Sequence, residues 1–178
     1  MENKKPLSYI IFRQANALIR ASGLIETETA KVFAEKREVD DRIEMLHSVV
    51  LLRSLAIELY LKTILIIKYD DVFSIEDIKT RSISFPTGRD GHNFIALLDP
   101  IQDDAKDIIV KEFNKLDQKV KTLDDLKYVI NKIGSTPFVD WRYIYEKSMD
   151  TTMSLIDLTN LAEALCQTAG SIKGTRLI

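Results

Sequence analysis

Residues 49–67 read Val-Val-Leu-Leu-Arg-Ser-Leu-Ala-Ile-Glu-Leu-Tyr-Leu-Lys-Thr-Ile-Leu-Ile-Ile. The length and apolar content match a membrane span, but Arg53, Glu58 and Lys62 lie inside the run. One charge at the centre of a transmembrane helix costs about 2.5–3.5 kcal/mol even on insertion scales, and here there are three. The stretch is therefore expected to be a helix buried in a bundle. Its charges then need partners or a water-lined cleft, because an unpaired buried charge is costly.

Helical periodicity continues on both sides. Pro6 stands where a first helical turn tolerates proline, and Leu7, Ile10, Ile11, Ala15, Leu18 and Ile19 recur at three- and four-residue steps. Gly23 is expected to close that helix, with a second stretch starting near Ile25. Residues 37–41 either separate this stretch from the apolar helix ending near Tyr69 or lie within one continuous helix. Ser74 and Asp77 form a capping box, and residues 82–91 a loop marked by Pro86, Gly88 and Gly91. His92 opens a short helix through Leu98. Asp99-Pro100 reads as the start of a helix to Leu116, and Thr122 and Asp125 cap another that Gly134 ends. Residues 134–140 read as a loop. The last helix starts after Asp150, with Leu155, Ile156, Leu158, Leu161, Leu165 and Ala169 on its apolar face. The expected fold is all-α: an antiparallel helical bundle of four to five main helices with short inserted helices. Residues 1–170 form one domain, and residues 171–178 a frayed tail.

Composition agrees. The chain has 178 residues, 46% hydrophobic and 29% charged, enough to bury roughly 70% of its unfolded surface in one core. Lys and Arg total 25 against 27 Asp and Glu, a net charge of −2, which excludes nucleic-acid binding by bulk charge but not a local basic pocket. The only cysteine is Cys166. With no secretory signal pattern at the N-terminus, that fits a reducing cytoplasm and no membrane attachment. The sequence contains two histidines and that one cysteine, too few for a zinc signature, and no metal or other cofactor is expected. No nucleophile elbow, Walker A loop or dinucleotide fingerprint occurs. The acids and lysines interleaved between Asp99 and Lys132 form a solvated face.

Three short segments carry chemistry. In Leu55–Lys62, Glu58 and Lys62 are four apart in the favourable order for a helical ion pair. In Gly91–Leu98, a loop delivers His92 and Asn93 to a helix start. In Trp141–Glu146, aromatics surround Arg142. Histidine is the usual general base at neutral pH and arginine the usual phosphate clamp. The residues leave structural readings open beside these: a polar seam for Glu58 and Lys62, a helix-start bond for His92, pairing with a buried acid for Arg142, and core anchoring for Trp141, Tyr143 and Tyr145. Arg81 and Arg89 flank the loop before His92, within reach of a phosphate or simply solvated.

Together the segments resemble the HEPN superfamily, whose bacterial members carry an Ala-x-Glu-hydrophobic-x-Leu-Lys helix, then Gly-His-Asn/Asp-hydrophobic, then an Arg-Tyr element. The matches are Ala56, Glu58, Leu61 and Lys62, then Gly91, His92 and Asn93, then Arg142, Tyr143 and Glu146, spanning about residues 45–165. The resemblance implies a helical bundle, usually dimeric. It also implies RNA binding or metal-independent RNA cleavage in toxin–antitoxin, phage-defence or stress systems, with RNA, an antitoxin or a nucleotidyltransferase as partners. On this reading His92 and Arg142 are the catalytic candidates, and Glu58, Lys62, Asn93, Tyr143, Tyr145 and Glu146 line the polar cleft. One departure stands out. HEPN ribonucleases carry a late Arg-x4–6-His motif, but after Arg142 the matching positions are Lys147, Ser148 and Met149. Arg42 and His47 have the spacing but precede the Glu58 motif, and form a subsidiary pair. The alternative function is a non-catalytic helical homodimer that binds a protein or a small ligand.

Overall fold

The computed structural model describes residues 5–34, 39–69, 72, 74–80, 86, 88–142 and 154–174; the side chains of 39–43, 79–80, 88–89, 140–142 and 173–174 are not among those described. The fold is an all-α bundle, without strands among the described residues. Its helices are α1 (Leu7–Ala34), α2 (Val39–Ile66), α3 (Ile75–Thr80), α4 (Phe94–Leu98), α5 (Asp103–Leu116), α6 (Leu123–Ile133), α7 (Pro137–Arg142) and α8 (Leu155–Gly174), with a 3-10 turn at Gly88–His92 before α4.

Helix α1 passes straight through Gly23, and the expected second helix near Ile25 is its continuation. Lateral packing overrides the local breaker. Ser8, Ala15, Ser22 and Thr29, spaced seven apart, are all buried, so α1 lays a seam of small side chains along α2. The larger Leu7, Ile11, Phe12, Leu18 and Ile19 flank that seam, and Ile10, expected inside, is 43% exposed. A Cβ at Gly23 would meet nothing within 4 Å. Gly23→Ala is therefore expected to stabilise the protein by about 0.5–1 kcal/mol through helix propensity, read as a higher denaturation midpoint. A lower midpoint would contradict the continuous helix.

Contacts fix the helix directions. Tyr60 reaches Asn16 and Arg53 reaches Glu26, so α1 and α2 are antiparallel. Arg53 reaches Thr159, while Tyr60 and Cys166 share Asn16, so α8 runs parallel to α2. Leu65 at the end of α2, Ala105 at the start of α5 and Ile172 at the end of α8 line one small recess, so α5 opposes α2 and α8. The parallel pair α2 and α8 is joined by the long crossover that carries α3 to α7.

Local chemistry sets the shorter elements. Ser74 and Asp77 exchange the expected capping bonds (2.8 and 3.2 Å). Helix α2 ends at Ile66 rather than Tyr69, where the Tyr69 N–H turns back to the Ile66 carbonyl. Asp99-Pro100 does not start α5. Asp99 is the C-cap of α4, Pro100 lacks the N–H that would extend that helix, and α5 begins at Asp103 after an extended Gln102. Thr122 and Asp125 make a full capping box for α6, and Gly134 ends it at φ 103°, a left-handed conformation suited to glycine. The expected loop over 134–140 holds α7, with Pro137 at its first position. Helix α8 continues past Gly170 to Gly174, because Ala169 and Thr168 are still fully buried in the core. Ile156, expected on its apolar face, is 73% exposed. Phe113, Ile109, Leu126 and Ile130 bury one side of α5 and α6, while short-range pairs such as Lys115–Glu112 and Lys106–Asp103 occupy the other, as the interleaved charges imply.

Candidate functional site

The charges of the apolar helix α2 point two ways. Arg53 and Tyr60 are seven apart and share a face, while Glu58 and Lys62 share another, because five residues from Arg53 to Glu58 turn the helix by about 140°. The Glu58 face meets the segment around α4.

Glu58 is 2% exposed. Its carboxylate is divided between two partners. Lys62 Nζ donates to Oε1 at 2.5 Å, and His92 Nδ1 lies 2.9 Å from Oε2. The partners reach outward from the buried acid, the side chain of Lys62 being 17% exposed and that of His92 40%. A carboxylate facing Nδ1 favours the imidazole tautomer that carries its proton there, and Nε2 is left with an available lone pair. Among the described residues no hydrogen bond engages Nε2.

The loop is shaped to deliver the histidine. Gly91 is buried, and a Cβ there would stand 3.0 Å from the Pro86 carbonyl oxygen, so the close turn leaves no room for a side chain. Asn93 Oδ1 accepts from the Ile95 and Ala96 N–H groups at 2.9 and 3.0 Å. That oxygen caps α4, so the helix starts after Asn93 rather than at His92, and Asn93 stands beside His92 with its amide nitrogen outside the cap. Phe94, Leu97 and Leu98 anchor α4 with no exposure, and the Phe94 N–H donates to the Ser135 carbonyl. Helix α7 packs against α2, and the Phe138 ring lies 6.1 Å from the His92 ring, centroid to centroid.

Glu58, Lys62 and His92 therefore converge. Arg142 ends α7, one turn beyond Phe138, and its side chain lies outside the described residues, as do Tyr143, Tyr145 and Glu146. The Arg81 and Arg89 side chains lie outside them too. Of the subsidiary pair, Arg42's side chain is not described, and His47 is half-buried on α2, eleven residues and roughly 16 Å along the axis from Glu58. That distance keeps it out of the Glu58 cluster. Among the described residues no group of three or more ligating side chains gathers as a metal site, and no helix is long and apolar enough to cross a membrane.

The other face of α2 holds polar residues that the sequence alone presents only as stray charges. A recess of about 360 Å³ between α1, α2 and α8 is lined by Arg13, Asn16, Arg20, Arg53, Tyr60 and Cys166, among others. The signal for it is the pair of seven-residue spacings Arg13–Arg20 and Arg53–Tyr60, each of which puts two polar groups on one helix face.

No family model matches the chain, and neither curated proteins nor solved structures give a significant match.

Proposed function

We propose that this is a HEPN-like, RNA-directed domain and a divergent metal-independent endoribonuclease. His92 Nε2 removes the proton of a ribose 2′-hydroxyl, the 2′-oxygen attacks the adjacent phosphorus, and the bond to the 5′-oxygen breaks as that oxygen takes a proton from solvent water. A 2′,3′-cyclic phosphate and a 5′-hydroxyl remain. Glu58 holds the imidazole and stabilises it when protonated, and Arg142 or Lys62 meets the phosphate charge. The observation that supports this reading is the buried carboxylate on Nδ1 of an imidazole whose other edge is accessible. The proposal includes a homodimer, and RNA with an antitoxin or nucleotidyltransferase as partners.

The test is incubation of single-stranded RNA with purified protein in EDTA. Cleavage with cyclic-phosphate ends is expected. A mobility shift without cleavage leaves only RNA binding, and intact, unshifted RNA at micromolar protein overturns both. The second reading is a non-catalytic helical homodimer that binds a protein or small ligand, favoured by Lys147, Ser148 and Met149 standing where the late histidine belongs. On that reading His92→Ala and Arg142→Ala change stability more than any activity.

A further inference from the structure

The recess between α1, α2 and α8 has an unusual inventory for a contact between packed helices. Three guanidiniums line it, from Arg13, Arg20 and Arg53, against the single carboxylate of Glu163. Arg53 is 7% exposed and already neutralised: it donates to Glu26 at 2.5 Å and to the Thr159 hydroxyl at 2.8 Å. Arg13 interacts with the Tyr9 phenol. Arg20 makes no hydrogen bond or ion pair among the described residues. Glu163 accepts from Gln167.

The neutral groups are also arranged as donors. Asn16 Oδ1 accepts from the Tyr60 hydroxyl at 2.7 Å and faces the Cys166 thiol at 3.5 Å. With its oxygen engaged, the carboxamide of Asn16 has only N–H groups left to offer. Tyr60 is fully buried and fixes that orientation from below. Packing alone does not call for guanidiniums gathered over a preset amide donor, because like charges repel and each long side chain loses rotamer freedom.

We propose that this recess binds a small phosphomonoester. A phosphomonoester carries about −1.5 to −2 charge, which matches the guanidiniums of Arg13 and Arg20, and three terminal oxygens, which suit planar bidentate donors. Asn16 supplies a further N–H, and Glu163 an acceptor for a hydroxyl on the body of the ligand. The volume falls within the ordinary range of small-ligand sites, about 300–1,000 Å³. The site lies on the opposite side of α2 from His92 and stands independently of the RNA reading.

Cys166 provides the readout. It lines the recess and is the only cysteine in the chain, so thiol alkylation by iodoacetamide reports on this place alone. Burial raises the thiol pKa, so alkylation of the free protein is slow but measurable by mass. Saturating phenyl phosphate is expected to slow it about tenfold relative to acetate at equal ionic strength, with inorganic phosphate giving a smaller effect. Arg13→Gln and Arg20→Gln, both exposed and therefore compatible with folding, are each expected to weaken phenyl phosphate binding about tenfold. Lys115→Gln, on α5, serves as the control for general charge. Equal alkylation rates with and without phenyl phosphate overturn the proposal. So does protection that survives both arginine substitutions, or that Lys115→Gln reduces as much. Protection by single-stranded RNA but not by phenyl phosphate overturns it in favour of an RNA path.

Discussion

Replacing His92 with alanine is expected to slow EDTA-resistant RNA cleavage by about 10²–10⁴-fold, the usual contribution of a positioned general base. Stability should change little, by less than about 1 kcal/mol, because the ring is substantially exposed and Glu58 keeps Lys62 as a partner. The two readouts together separate the functional reading from the structural one. Glu58→Gln should give a smaller loss, because the ring remains but its orientation and the stabilisation of its charged form weaken. Cleavage by His92→Ala at the wild-type rate, or a large drop in stability with activity per folded molecule unchanged, would contradict the assignment.

The second large effect is on folding. Lys62→Met keeps the aliphatic stem but removes the ammonium, leaving a carboxylate that is 2% exposed with His92 as its remaining partner at this node. Removing one side of a buried pair costs about 3–5 kcal/mol. At about 2–4 °C per kcal/mol for a chain of this size, the melting temperature should fall by roughly 6–20 °C. The double substitution Glu58→Met with Lys62→Met should recover most of that loss, because both charges go together and the apolar surroundings accept methionine. Chemical denaturation of the wild type, both single variants and the double variant gives the coupling energy. A Lys62→Met loss below about 0.5 kcal/mol would mean that the pair is only a solvated surface contact.

What the sequence makes legible follows the range of the interactions. Capping is local, so Ser74–Asp77, Thr122–Asp125 and Gly134 are readable from residue type and spacing. Gly23 misleads because its helix is held from the side: the seam of Ser8, Ala15, Ser22 and Thr29 uses small side chains that carry no strong hydrophobic signal. Asp99-Pro100 misleads because the same dipeptide can end one helix or begin the next, and the turn at 99–101 decides it. The pairing of Glu58 with Lys62 is a local four-residue relation. Its meeting with His92 spans a long stretch of chain, and only the recurrence of known segments suggests it. The arginine recess escapes a reading of the sequence because it takes one helix face from each of three separated helices. The charges of α2 look like one set in the sequence, although they divide between two faces.

The most direct test of the central geometry is the ring tautomer of His92, read by long-range ¹⁵N–¹H NMR of the uncharged imidazole, with His47→Gln assigning the only other histidine. A proton on Nδ1, held by Glu58, is expected in the wild type, with a shift toward the Nε2–H form in Glu58→Leu. A dominant Nε2–H form in the wild type, unchanged by Glu58→Leu, would contradict it.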